Sequence, residues 1–375
     1  MEINIHVQVL SAVFVIAAVM GAVAHKTNFC TMGAVSDWVN MGDTGRMRAW
    51  LLAMAVALIG VIALESLGKI NLSGETFPPY RSANFAWPRY IVGGLLFGLG
   101  MVLASGCGNK TLVRVGGGNL KSLTVLIVAM IASYFMLWSP LFEKVFLPWI
   151  QPLSINLVQH GVASQELGTV VSGLLGYQTS FGFNMTIAIL VAIGLLFFVF
   201  KSRDFRGSFD NILGGAVIGA AVVAGWYLTG GALGQAWKEF ADMATDMPSR
   251  VQVQSYTFIS PMGDSVRYLL DPGKLTLLNF GVMALAGVIM GSFIYALVTK
   301  NFRIEWFASF GDFINHTIGG VLMGIGGVLS MGCTVGQAIT GISTLAIGSI
   351  LTFFSIIIGA VVAMKYQYWR MMQEA

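Results

Sequence analysis

The sequence predicts an all-α polytopic membrane protein with an inverted pseudo-two-fold repeat, about nine transmembrane spans and short re-entrant helices. Three observations lead there. Of 375 residues, 56% are hydrophobic and 10% charged, where a soluble domain carries roughly 25% charged residues. Apolar runs recur at close to the ~20 residues that cross a bilayer core. A glycine-rich segment ending in a glycine–cysteine pair occurs twice.

The spans fall at about 7–24, 48–66, 88–105, 122–139, 183–200, 209–229, 275–298, 315–331 and 345–364. The alternating strands of a membrane β-barrel, each about 10 residues long, do not occur. The 141–180 stretch is mixed and reads as a short interfacial helix plus loop. The 232–274 stretch is the most polar and reads as an extramembrane loop or small cap. The chain, 1–375, is expected to form a single integral-membrane domain, with repeat halves of about 1–200 and 205–375. Lysine and arginine concentrate in loops that share a side with Lys26, Arg46 and Lys201. By the positive-inside rule the N-terminus lies outside and the C-terminus inside. The net charge of +4 then belongs to inner loops and gives no argument for nucleic acid as a partner.

Gly93 to Cys107 reads "GGLLFGLGMVLASGC", and Gly319 to Cys333 reads "GGVLMGIGGVLSMGC". The two align without a gap. A weaker match sets "CTMGAV" at Cys30 against "LTGGAL" at Leu228. Each pair lies five spans apart, so its members cross in opposite directions. That is the mark of an inverted repeat, in which transporters bind substrate near the midplane. Gly106, Gly108 and Gly332 flank the duplicated cysteines. Such glycines adopt positive φ and end a helix inside the membrane, which is tolerated where the break is buried in protein or lines a cavity.

The cysteines are Cys30, Cys107 and Cys333. None forms a C-x-x-C pair, so neither a zinc knuckle nor a redox motif is indicated. The four histidines are scattered, no nucleotide-binding glycine loop occurs, and no cofactor or metal is implied. A lone cysteine is most simply a small buried hydrophobe. Two at equivalent repeat positions suggest instead a path for a ligand with an exposed sulfur atom, because a thiol is soft and only a weak donor and acceptor. Asn109, Lys110 and Thr334 stand beside them to orient an anion or supply charge, with Asn28, Thr31 and Gln337 as further polar neighbours. Lys110 near Cys107 also leaves open a membrane sulfurtransferase that carries a persulfide on an activated thiolate.

The paired glycine–cysteine segments and the third cysteine in "NFCTMGA" resemble the YeeE/YedE family of bacterial inner-membrane proteins, over most of the chain. The resemblance implies a thiosulfate or related sulfur-compound importer, in a helical fold with short helices dipping from both faces. It implies that Cys30, Cys107 and Cys333 relay the anion through S–H···S contacts. It further implies a TusA-like sulfur carrier or rhodanese-type protein as cytoplasmic partner. Other branches of the family are tied to selenium or other sulfur species.

Overall fold

The computed structural model describes residues 2–73 and 76–374. Among them, nine stretches are long and apolar enough to cross a membrane, from Ile5–Met41 to Ile347–Gln373. In chain order the α-helices are α1 (Glu2–Lys26), α2 (Thr31–Ser36), α3 (Gly45–Ser66), α4 (Trp87–Leu103), α5 (Gly108–Gly116), α6 (Leu120–Trp138), α7 (Leu147–Leu153) and α8 (Leu167–Leu174). Then follow α9 (Phe181–Phe200), α10 (Arg203–Gly207), α11 (Phe209–Gly230), α12 (Ala232–Met243), α13 (Ile259–Leu270), α14 (Phe280–Val298), α15 (Phe310–Leu329) and α16 (Ile347–Glu374). A π-helical segment, Thr334–Gly341, links α15 to α16. Extended structure is confined to residue pairs, such as Thr76–Phe77 beside Val253–Gln254.

The duplicated segments form α4 and α15, which pack against each other antiparallel. A Cβ at Gly93 would meet the Gly326 carbonyl at 2.9 Å, and one at Gly100 would meet the Gly319 carbonyl at 2.8 Å. Real Cβ atoms do not come so close, so these positions require glycine and let the two backbones touch. Around this pair the packing recurs in like form. Helix α1 packs on α14 as α11 packs on α3, and α16 packs on α4 as α6 packs on α15.

The 232–274 stretch holds more than a loop. It contains α12 and α13, and Tyr256, Phe258 and Ile259 within it are completely buried. Helix α13 packs on α6 and α14 much as α2 packs on α16 and α3. The chain leading into α13, "TFISPMG", reads like "NFCTMG" leading into α2, with one added residue and with Ile259 where Cys30 stands. This is a better partner for the Cys30 region than Leu228–Leu233, which lies at the junction of α11 and α12.

Candidate functional site

Each cysteine sits at the same kind of helix break. Helix α1 ends with the Phe29 N–H bonded to the Ala24 carbonyl, α4 with Gly106 bonded to Met101, and α15 with Gly332 bonded to Gly327, at 3.2, 2.9 and 2.8 Å. With the shorter bonds from Asn28, Ser105 and Met331, these are three Schellman closures. The residue that turns left-handed is not a glycine in any of them. It is Asn28 (φ 51°), Ser105 (φ 56°) or Met331 (φ 62°). The expectation that Gly106, Gly108 or Gly332 takes positive φ is therefore corrected. Gly106 and Gly332 are the residues after the turn, and Gly108 is the first residue of α5. The left-handed conformation costs an L-residue about 1–2 kcal/mol, so three such residues two positions ahead of three cysteines mark a locally strained region.

Two residues beyond each left-handed position, the cysteine caps the next helix. Cys30 precedes α2, Cys107 precedes α5 and Cys333 precedes the π-helical segment. The Cys30 sulfur accepts the Gly33 N–H at 3.4 Å and the Cys333 sulfur accepts the Gly336 N–H at 3.5 Å. Cys107 holds the same position without a capping hydrogen bond, and the backbone of Lys110 and Thr31 lies close to its sulfur. A cysteine thus takes the place usually held by serine, threonine or aspartate, and helix N-termini direct their N–H groups at sulfur.

The breaks converge. The Cys30 and Cys107 thiols lie beside each other, and the Thr334 hydroxyl lies beside Cys107. A Cβ on Gly108 would lie 3.8 Å from the Cys333 Cβ and 3.5 Å from the Ile259 side chain. The backbone of Phe258 reaches the Cys333 sulfur as that of Thr31 reaches Cys107. All three thiols are free and closed off from solvent, with exposures of 4%, 0% and 0%. Several side chains near them, all fully or nearly fully buried, have polar atoms without an oxygen or nitrogen partner: Thr31, Asn109 (both amide atoms), Thr257, Thr334 and the Gln337 Oε1. A buried polar group left unpaired costs about 1–3 kcal/mol, so this cluster is poor as packing and apt as a site for a polar guest.

Cavities flank the thiols at both ends of the bundle. The larger, about 710 Å³, is lined by Glu65, Lys69, Arg81, Glu166, Asn184 and Lys238 among others. Arg81 donates to both oxygens of Glu65, at 2.7 and 3.1 Å, and lies 3.2 Å from Glu166. Its Nε donates to the Thr344 carbonyl, just past the π-helical segment. Two carboxylates share one guanidinium here. Burial pushes the Glu166 carboxyl above its usual range, against the pull of Arg81. The smaller cavity, about 200 Å³, is lined by His25, Asn28, Lys110, Arg114, Arg303 and Glu305 among others. Lys110 donates to the Asn28 Oδ1 at 3.0 Å, and Arg114 donates to the Ser105 carbonyl at 2.7 Å. The π-helical segment that Cys333 caps is held by Tyr80, whose hydroxyl donates to the Gly336 carbonyl at 2.7 Å, and Trp226 donates to Ser343 just past it.

The residues singled out from sequence thus lie together: Cys30, Cys107 and Cys333 with Gly108 and Thr334 at the junction, and Gly106 and Lys110 toward the smaller cavity. Asn109 is buried on the first turn of α5, and Gly332 packs against Gln337 and Thr257. Sequence reasoning missed Thr257 and Ile259, which belong to a stretch read as extramembrane. The echo of "NFCTMG" in "TFISPMG" was the signal for them.

A family model described as sulphur transport matches residues 26–362. The chain is 24% identical over 345 residues to the thiosulfate transporter TsuA of Escherichia coli K12, covering 86% of this chain and 84% of that protein. It is also 24% identical over 371 residues to the thiosulfate transporter TsuA of Spirochaeta thermophila, covering 90% and 93%. A shorter match, 31% identical over 119 residues and covering 28% and 26%, links it to the probable transporter YedE of Escherichia coli K12.

Proposed function

The chain belongs to the sulphur-transport family, and from that premise we propose that it imports thiosulfate, or a closely related sulfur anion, past three cysteine thiols. The observation that carries this is the meeting of Cys30, Cys107 and Cys333 at three like helix breaks between two cavities. Two relatives matched over most of their length are named thiosulfate transporters. The chemistry agrees. A thiol is a weak donor to a hard oxyanion and a better match for a polarisable sulfur. The helix N-termini that the cysteines cap supply positive potential without a fixed charge.

The direction follows from charge. With the basic loops inside, the 710 Å³ cavity faces outward as an entry vestibule and the Lys110 cavity faces the cytoplasm. The anion enters past Arg81, meets Cys333, passes to Cys107 and Cys30, and leaves beside Lys110 and Arg114. The membrane is the bacterial inner membrane. A soluble sulfur carrier of the TusA-like or rhodanese type is the natural acceptor at the inner mouth. The inverted repeat is part of the same reading, supported by the reciprocal glycine contacts of α4 and α15. The role is transport and not catalysis.

The test is uptake of labelled thiosulfate into proteoliposomes, paired with growth on thiosulfate as sole sulfur source in a host stripped of its own uptake. Cys107→Ala and Cys333→Ala should each abolish uptake while the protein stays folded. Uptake that survives both substitutions refutes the relay. A persulfide trapped on Cys107 after exposure to thiosulfate would replace transport with sulfurtransfer.

A further inference from the structure

We propose that Thr257, Thr334, Thr31 and Asn109 form a second row of contacts beside the thiols, one that holds the oxygen end of the anion while the cysteines hold its sulfur. The proposal rests on the transport reading and assigns the substrate class more narrowly: an anion with a soft sulfur at one end and oxyanion character at the other.

Four side chains make no sense as packing. Thr31, Thr334 and Asn109 are 0% exposed and Thr257 is 4% exposed. None of their side-chain hydroxyl or amide atoms meets an oxygen or nitrogen partner in the protein. Buried polar atoms in folded proteins are satisfied in nearly every case. Each of the four is tied to a cysteine. The Thr257 hydroxyl lies 3.4 Å from where a Cβ would stand on Gly332 and 2.3 Å from one on Gly336, the two glycines on either side of Cys333 whose backbone shapes that thiol's surroundings. Thr334 follows Cys333 and its hydroxyl sits beside Cys107. Thr31 follows Cys30, and its backbone lies close to the Cys107 sulfur. Asn109 is two residues past Cys107, on the turn of α5 nearest the π-helical segment.

The chemistry of the four is uniform. Three hydroxyls and the Asn109 Nδ2 are all donors, and the oxygens of an anion accept. Gln337 is left out of the row on the same ground. Its Nε2 already donates to the Ser330 carbonyl, and the free Oε1 can only accept. The order of the donors matches the order of the thiols, with Thr257 at Cys333, Thr334 between, and Thr31 and Asn109 at Cys107 and Cys30. A thiosulfate ion that moves its sulfur from Cys333 to Cys107 can therefore move its oxygens from Thr257 to Thr334 and on to Asn109. Sulfate has oxygens for the donors and no exposed sulfur for the thiols. Hydrosulfide has sulfur and no oxygens.

The experiment uses the isosteric variants Thr334→Val and Thr31→Val, together with Asn109→Leu. Thiosulfate binding is read as a ligand-induced rise in melting temperature of the purified protein, and transport as initial uptake in proteoliposomes. Each variant is expected to melt no lower than wild type without ligand, because an unpaired buried hydroxyl or amide is replaced by an apolar group of similar shape. Each should raise the KM for thiosulfate at least tenfold. Thiosulfate's advantage over hydrosulfide as a competitor should shrink by the same factor. A variant that melts lower and keeps the wild-type KM overturns the proposal, since that is the behaviour of a structural residue. Wild-type protein that binds thiosulfate without carrying it, with binding lost in Asn109→Leu, supports the oxygen row and sinks the transport reading. Wild-type protein that neither binds nor carries thiosulfate overturns both.

Discussion

Lys110 donates to the Asn28 side-chain oxygen at 3.0 Å, and the contact ties two of the three helix breaks together. Asn28 is the left-handed residue ahead of Cys30. Lys110 lies on the first turn after Cys107. One ammonium group thus fixes the turn that presents Cys30 and places positive charge in the smaller cavity. Its removal should act on both. Lys110→Gln is expected to lower the initial rate of uptake about tenfold or more, the equivalent of ~1.4 kcal/mol in a binding step. Lys110→Arg should restore part of it. Raising the salt concentration should slow the wild type more than Lys110→Gln, because the partly open mouth is screened. Proteoliposome rates across an ionic-strength series decide this. Equal salt slopes would show that Lys110 acts only through its bond to Asn28.

The glycines divide into two kinds, and alanine substitutions should separate them. At Gly100 and Gly326 a Cβ would lie 2.8 and 2.6 Å from the backbone of the opposite helix. Alanine there must push α4 and α15 apart, at a cost of about 1–3 kcal/mol typical of overpacking. Around Gly106 the nearest atoms, on Lys110, are 3.5 Å from that point, and around Gly108 the nearest is Ile259 at 3.5 Å. Those are ordinary contacts, and the residues are not left-handed. Gly106→Ala and Gly108→Ala should therefore fold and melt like wild type. A melting series in detergent tests the contrast, and Gly106→Ala melting as low as Gly100→Ala would contradict it.

These contrasts also mark how far the sequence could be read. Spans were legible because a bilayer demands long apolar runs, and composition records that directly. The glycine-rich duplication that became α4 and α15 was legible, but that the two copies touch each other was shown only by the fold. The turns before the cysteines were not legible. A left-handed residue is usually signalled by glycine, yet Ser105 and Met331 occupy these sites. They are held there by the Schellman bonds and the surrounding helices, which no local pattern announces. Ile259 and Thr257 were hidden for another reason. Their neighbourhood is polar in composition and carries Pro261 where its counterpart has no residue. Only the folded contact with Cys333 shows that this stretch reaches the centre of the bundle.

Uptake should rise as the outside becomes more acidic. Arg81 serves two carboxylates, Glu65 and Glu166, and burial holds the Glu166 carboxyl above its ordinary range. A raised carboxyl is neutral in the folded protein at a pH where it is charged in the unfolded chain. Its contribution therefore favours the fold at low pH and is lost as pH rises through the raised value. Protonation also removes a negative charge from the vestibule that an anion must enter. Glu166→Gln should then melt higher than wild type at neutral to alkaline pH and converge with it in acid. Its uptake should be faster at neutral pH and flatter in pH. Arg81 keeps Glu65 in that variant, so its charge stays paired. A Glu166→Gln protein that melts lower at neutral pH would show that the Arg81 pair outweighs the burial.

The Cys30–Cys107 contact gives a last prediction. The two thiols are neighbours, and neither is in a disulfide. An added two-electron oxidant such as diamide should take both protons and two electrons and leave a disulfide between them. It would remove two of the three proposed relay positions together. Uptake should fall close to zero and return with dithiothreitol. Cys30→Ser should be immune to the oxidant, because no second thiol is then in contact with Cys107. Cys333 should stay free, because Ile259 stands where Cys30 would stand in the matching stretch. Mass spectrometry of the peptides that contain Cys30 and Cys107 reads the bond directly. Oxidant that blocks uptake equally in the Cys30→Ser protein would place the sensitive group elsewhere.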